Sequence, residues 1–319
     1  MKVLCFDSFG GPEVLQHRDL PDPIANGQQV LVQTAAIGLN FADVYRRKGN
    51  YHLQGKPPFI AGYEAAGVVL DAPAESGFHA GQRVGFADMP FANAQRVAVD
   101  IDKLIPLPDD ISSETAAAVL LQGLTAQYLV CDSHAIRAGE SVLIHAAAGG
   151  VGLLLTQLCG ALGARVIGLT SSAAKAQQVL DAGAHAALRY DEDWVAAARA
   201  LGNAGVDVVY DSVGATLVQS LAAARTGGHV VFFGMAGGDP APVDPRLLMD
   251  TSKTLTGGDL WNVLTSADER RRRAAELFGW VREGKLKVYI DSRFALADGA
   301  SAHARLESRA SSGKVLLIP

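Results

Sequence analysis

Short runs in which apolar and polar positions alternate fill the first third of the chain. Gln29-Val-Leu-Val-Gln-Thr-Ala, Ala66-Gly-Val-Val-Leu and Gln95-Arg-Val-Ala-Val are separated by Gly, Pro and Asp, a pattern that predicts half-buried strands joined by turns. Met1-Lys-Val-Leu-Cys-Phe reads as a first strand and lacks the long apolar core of a signal peptide. From Ser112 the pattern changes. A helix is expected over Glu114–Cys131, then strands alternating with helices to about Leu260. Within that stretch Val206-Asp-Val-Val-Tyr-Asp and His229-Val-Val-Phe-Phe are the near-continuous apolar strands of a parallel sheet covered on both faces. The last sixty or so residues depart from the alternation, with helices at Ser266–Glu283 and Gly299–Glu307 and strands near Lys287–Ile290 and at Lys314–Ile318. The expected organisation is a mostly β domain over 1–120 with a returning tail, 262–319, and an α/β domain over 121–261. The active site is expected in the cleft between them.

Chemistry enters at Ser141-Val-Leu-Ile-His-Ala-Ala-Ala-Gly-Gly-Val-Gly152. A buried strand runs into a glycine turn, then into an uninterrupted helical stretch, Leu153–Leu162, and a second strand from Val166. Ala147, Gly149 and Gly152 follow the A-x-G-x-x-G spacing of a dinucleotide-binding βαβ unit. There, small residues let the backbone turn tightly and approach a pyrophosphate at a helix N-terminus. Gly149, Gly150, Val151 and Gly152 are therefore candidate phosphate contacts. A dinucleotide lacking a 2′-phosphate calls for a carboxylate about 20 residues further on, but this region reads Gly168-Leu-Thr-Ser-Ser172. Thr170, Ser171 and Lys175 can donate to a 2′-phosphate instead, and Tyr190 can close the same pocket, which favours NADPH over NADH.

Composition narrows the class further. The 319 residues are 49% hydrophobic and 19% charged, with a net charge of −5. This suits a globular enzyme of two domains and argues against nucleic acid or an anionic membrane as partner. The one basic run, Arg270–Arg273, follows Ser266-Ala-Asp-Glu269 at capping-box spacing and is expected to form the solvated face of a helix. Cys5, Cys131 and Cys159 are few and far apart, consistent with reduced thiols and a cytoplasmic protein.

Several longer motifs point to one family. Gly38-Leu-Asn-Phe-Ala-Asp-Val-Tyr-Arg-Arg-Lys-Gly-Asn-Tyr51, Pro58-Phe-Ile-Ala-Gly-Tyr-Glu-Ala-Ala-Gly67, Leu121-Gln-Gly-Leu-Thr-Ala-Gln-Tyr128, the glycine turn and Leu306–Pro319 occur in order across the chain. With them the sequence resembles the zinc-free, zeta-crystallin-like quinone oxidoreductases of the medium-chain dehydrogenase/reductase superfamily. The resemblance implies an α/β protein, a GroES-like β domain joined to a doubly wound Rossmann domain, with NADPH as reductant. It also implies homodimers or tetramers built through the cofactor domain. Carried over by position, it puts Asn40 and Tyr45 at the nicotinamide and acceptor, with Tyr51 at the pocket mouth. It further assigns Tyr128, Val213, Phe233, Gly234, Met235, Ala236 and Lys314 to the dinucleotide. Departures such as Gln82 and Asn93-Ala-Gln95 fall on structural turns.

Zinc-dependent relatives place their catalytic ligands at positions that here hold Asn40, Tyr63 and Gln122, none of them a thiolate, imidazole or carboxylate. A zinc-free reaction is expected, in which position does the work and the Asn40 amide and Tyr45 hydroxyl donate to the acceptor's oxygen. Asp43 and Glu64 are expected to hold loop backbone, His145 to be a satisfied core histidine, and His52 has no assigned role. Reduction of α,β-unsaturated carbonyls, as in an enone, alkenal or enoyl-thioester reductase, fits the same residues. A non-catalytic NADPH-binding role also fits the glycines, whereas a zinc alcohol dehydrogenase does not fit the missing ligands.

Overall fold

The computed structural model describes residues 1–319 and resolves into two compact units. Unit 1 comprises 1–124, 264–281 and 288–319; unit 2 comprises 125–263 and 282–287.

In unit 1 the eleven-residue strand Gln29–Leu39 organises the main sheet. Its alternate side chains are buried at first, and the last four residues are buried without interruption. It pairs antiparallel with Glu64–Asp71, with Arg96–Asp100 and with the C-terminal strand Lys314–Ile318. Val315 lies opposite Leu39, which brings Lys314 beside Asn40 at the start of the helix Phe41–Arg47. A smaller sheet joins Lys2–Phe6 to Gln16–Asp19 and Phe59–Ile60. Val3, Phe6, Val32, Leu39, Phe86 and Val97 belong to the core under these strands.

Two expectations are corrected here. The strand expected near Lys287–Ile290 runs instead from Ile290 to Ala295, because the backbone N–H and C=O of Lys287 are taken by the Gln157 side chain at 2.7 and 3.1 Å. The Arg270–Arg273 run is not a solvated face. Arg270 is buried, donating to the carbonyls of Asp102 and Leu264 at 2.8 and 2.9 Å. Arg271 donates to Leu104 and Ile101, so two of the four arginines tie their helix, Ala267–Arg282, to backbone carbonyls. Arg272 is the solvated member, paired with Glu269.

Unit 2 holds a six-stranded, wholly parallel sheet of Ser141–Ile144, Arg165–Thr170, Ala186–Arg189, Val206–Asp211, Ala224–Phe232 and Thr254–Gly257. Numbered along the chain, these strands are ordered 3-2-1-4-5-6, the doubly wound arrangement of dinucleotide-binding domains. The first and fourth strands are neighbours, so the order reverses beside the glycine turn. Ligands bind such sheets at that point, outside the carboxyl ends of the strands.

Candidate functional site

The glycine turn is shaped by close packing and by a polar brace. The helix Gly150–Ala161 follows Gly149, whose backbone is extended. A Cβ on Gly152 would lie 2.5 Å from the carbonyl oxygen of Ala146 and 2.7 Å from the Cα of Ala147, so only glycine lets the helix sit this close to the strand. Beneath the turn, the Ala146 N–H donates to the Tyr190 hydroxyl at 3.0 Å, and that hydroxyl meets His145 Nδ1 at 3.2 Å. His145 Nε2 lies 3.0 Å from Ser220 Oγ, which donates to Asp211 at 2.6 Å. Since the phenol already accepts from Ala146, its proton goes to Nδ1 and His145 carries its own proton on Nε2. Burial lowers the pKa of His145, against the charge of Asp211, so the ring is a satisfied, neutral core histidine. Burial would raise Asp211, but the Ser220 hydroxyl and the N–H groups of Gly214 and Val213 hold it below the usual carboxylate range.

Asp211 thus fixes the turn after the fourth strand, and that turn supports the next. Gly214 has φ +82°, and a Cβ there would meet the Gly238 carbonyl oxygen at 2.3 Å. The N–H groups of Ala236 and Gly237 donate to Ser212 and Val213 at 3.1 and 2.8 Å, which ties the Phe233-Gly234-Met235-Ala236 turn to the Val213 turn. At the end of the second strand Ser171 is exposed and Lys175 half-buried, while Ser172 caps the helix Ala173–Asp181.

Three predicted cofactor residues have their hydroxyls packed within unit 2. Thr170 is buried and its hydroxyl faces the carbonyls of Ser172 and Leu188 at 3.3 and 3.4 Å. Tyr190 directs its hydroxyl inward to brace the glycine turn. Tyr128 is also buried, its hydroxyl packed 2.8 Å from where a Gly258 Cβ would lie.

The polar residues of unit 1 gather at the start of the helix Phe41–Arg47. Asn40 is its N-cap, its backbone N–H donating to Asp43 Oδ2 at 2.9 Å. The Asn40 amide donates through Nδ2 to Glu64 Oε2 at 2.8 Å and accepts at Oδ1 from Lys314 Nζ at 2.9 Å and from Gln122 Nε2 at 3.3 Å. Lys314 Nζ is also 2.5 Å from Glu64 Oε2. Glu64 Oε1 accepts the Leu121 N–H at 2.7 Å. Lys314 is 1% exposed and Glu64 fully buried, so the ammonium is held inside unit 1. Asn40 Nδ2 points to Glu64 and, at 3.4 Å, to the Gly38 carbonyl.

Beside this network, Asp43 pairs with Arg46 at 3.2 Å, both buried. Burial pushes the Asp43 carboxyl above its usual range, opposed by Arg46 and the Asn40 N–H. Arg46 stacks 3.4 Å over Tyr63 and 5.1 Å from Tyr51, and its Nε donates to the His52 carbonyl at 2.9 Å. Tyr45 and Tyr51 meet edge to face at 6.0 Å. Arg46 is the residue that sequence reading missed; its only signal was its place as the first of three basic residues, Arg46 to Lys48, directly after Tyr45. Asn40 and Gln122 pair with each other and Tyr63 lies under a guanidinium, so the positions that would hold zinc present two amides, a phenol and a neighbouring ammonium. This donor set does not fit the ion. No group of three or more His, Cys, Asp or Glu in the chain could hold a metal.

The two architectures define a medium-chain dehydrogenase/reductase. Residues 26–139 match the alcohol dehydrogenase GroES-like domain and 150–279 the zinc-binding dehydrogenase domain. A quinone oxidoreductase of Pseudomonas aeruginosa is 39% identical, the match covering 100% of this chain and 99% of that protein. A 2-haloacrylate reductase from a Burkholderia species is 35% identical over 97% of this chain and 96% of its own length. The solved structure of Escherichia coli quinone oxidoreductase complexed with NADPH superimposes with a TM-score of 0.96 at 37% identity, over the whole of both chains. The chain belongs to the quinone oxidoreductase family.

Proposed function

We propose that this chain is an NADPH-dependent quinone oxidoreductase that works without zinc. The observation that carries the reading is the acid-free end of the strand Arg165–Thr170, where Ser171 and Lys175 follow a glycine turn of dinucleotide-binding shape, in a chain alike over its full length to quinone oxidoreductases. The small residues of the turn fit the pyrophosphate, and the Gly150 helix N-terminus favours its charge. Ser171 and Lys175 would hold the 2′-phosphate, and the Val213 and Phe233–Ala236 turns would flank the nicotinamide half. When bound, NADPH supplies the reducing equivalent. Tyr45 and Tyr51 form the aromatic surface for a flat acceptor, with the Tyr45 hydroxyl as hydrogen-bond donor to its oxygen. A phenol at neutral pH donates but is a poor base, so solvent supplies the final proton. The donor set at Asn40, Tyr63 and Gln122 supports a reaction that does not call on zinc.

Reduction of an α,β-unsaturated carbonyl is the second reading, favoured by the likeness to 2-haloacrylate reductase. In both classes conjugation carries the added charge to one oxygen. Following loss of the reduced-nicotinamide absorbance with 1,4-benzoquinone, 9,10-phenanthrenequinone, an alkenal and crotonyl-CoA separates them. Turnover of quinones alone supports the first reading, and turnover of the alkenal or thioester alone supports the second. Lys175→Ala is expected to raise KM for NADPH roughly tenfold, the worth of one charge-assisted hydrogen bond, and to leave KM for NADH unchanged. An equal rise for both cofactors would move the 2′-phosphate elsewhere. The same reading includes a homodimer through unit 2 in the cytoplasm. The edge strand Thr254–Gly257 is paired on one side, and Met249 in the helix before it is 68% exposed; light scattering in solution tests the dimer. No helix is long and apolar enough to cross a membrane.

A further inference from the structure

We infer that Lys314 is a positioning residue for acceptor reduction, a fixed internal cation that acts through the amides of Asn40 and Gln122; the inference rests on the reading of unit 1 as the acceptor's side of the reaction. Its ammonium is 1% exposed, 2.5 Å from Glu64 and 2.9 Å from Asn40 Oδ1. Four separate stretches converge to make this contact: the last strand, the turn after Gln29–Leu39, the first residue of Glu64–Asp71, and the helix that begins at Ser113.

Burying an ion pair is seldom the cheapest way to hold strands together, because the desolvation of both charges offsets their attraction. An apolar pair of similar volume would serve the fold as well. What an apolar pair cannot do is orient an amide. Lys314 donates, so Asn40 must present its oxygen to it, and Glu64 accepts, so Asn40 must present its nitrogen there. With that oxygen fixed, Gln122 must turn its Nε2 to Asn40, at 3.3 Å. One ammonium therefore sets the direction of two buried amide dipoles. With Glu64 against it the ammonium forms a close ion pair, whose fixed dipole and the amides it orients lie in a low-dielectric interior, where they act on charge developing at an acceptor's oxygen far more than in water. In effect Lys314, paired with Glu64, holds two oriented amides among residues whose donors do not suit a metal.

Three variants of the full-length protein test this: Lys314→Met, Lys314→Arg and the charge-neutral double variant Lys314→Met/Glu64→Gln. Lys314→Met is expected to lower kcat about a hundredfold, the scale of losing one preorganised donor, with Kd for NADPH within twofold of wild type. Lys314→Arg should recover part of kcat. The double variant, which leaves no uncompensated buried charge, should melt near wild type yet stay slow. If it melts near wild type and also recovers kcat, Lys314 is only half of a structural ion pair and the inference is overturned. If the loss appears in KM or in NADPH affinity while kcat holds, it is likewise overturned. If wild type reduces no acceptor, the functional reading fails by itself, and the positioning claim is judged by crystallography of Lys314→Met: it stands if Asn40 leaves Glu64 and Gln122, and falls if both amides stay in place.

Discussion

Gly152→Val is expected to weaken NADPH binding roughly a hundredfold or more, a loss of nearly 3 kcal/mol, while Gly160→Ala in the same helix leaves it unchanged. The contrast follows from what each new side chain would meet. At Gly152 the first added carbon already lies 2.5 to 2.8 Å from the Ala146 carbonyl oxygen and the Ala147 backbone, and backbone cannot step aside as a flexible side chain can. Ala146 is itself held, since its N–H is bonded to Tyr190, which is braced by His145. The strain is therefore relieved by lifting the helix N-terminus off the strand. Overpacking of this kind costs about 1 to 3 kcal/mol in stability. The larger effect is on the ligand, because the N–H groups and dipole of that helix end act only over the first turn. At Gly160 a Cβ would meet nothing within 4 Å, and alanine there should raise stability by up to about 1 kcal/mol through helix propensity. Fluorescence titration of reduced nicotinamide and thermal melting of both variants check this; retained affinity in Gly152→Val would remove the pyrophosphate from this turn.

The parallel sheet and its glycine turn were legible because their signals are local. A run such as Val142–Ile144 followed by small residues and an unbroken helix carries its own periodicity, and burial on both faces makes strands like Val206–Asp211 apolar at four of six positions. The polar network of unit 1 was not legible in this way. Asn40, Glu64, Gln122 and Lys314 are up to 274 residues apart, and a lone lysine near a C-terminus looks like an ordinary surface or phosphate-binding residue until the register of Val315 with Leu39 turns it inward. Arg270 and Arg271 illustrate the same limit. Composition predicts a solvated basic face, but carbonyls at Ile101, Asp102, Leu104 and Leu264 supply acceptors that only the fold brings together. The inward contacts of Thr170 and Tyr190 were not legible for a related reason. A hydroxyl near a ligand-binding turn has two sides to serve, and here the protein's own backbone takes it first.

Acid is expected to destabilise unit 1 from about pH 6.5 downward, and His303 is the residue that makes it so. His303, in the helix Gly299–Glu307, is fully buried, and Arg47 donates to its Nδ1 at 3.0 Å. The ring is therefore neutral with its proton on Nε2, which has no hydrogen-bond partner. Burial, with the Arg47 charge added to it, pushes the imidazole down to about 3 from 6.5, and Glu307 opposes this. The unfolded chain takes up a proton near pH 6.5 and the folded protein does not until about pH 3. The contribution is therefore fully present above pH 6.5 and is lost steadily as pH falls between those values, on the order of 4 to 5 kcal/mol at most. Glu307, held below its usual range by Lys48 and Arg47 against the effect of burial, adds its own loss only at lower pH, once the unfolded carboxylate begins to protonate. His303→Asn keeps an acceptor for Arg47 and removes the titrating ring. Its stability at pH 7 should fall by about 1 to 2 kcal/mol for the lost packing, yet its stability should decline less than that of wild type between pH 6.5 and 4.5. Urea unfolding at several pH values measures both slopes. Equal slopes would mean that the native protein accepts a proton at His303 without strain, which the guanidinium 3.0 Å away makes hard to accommodate.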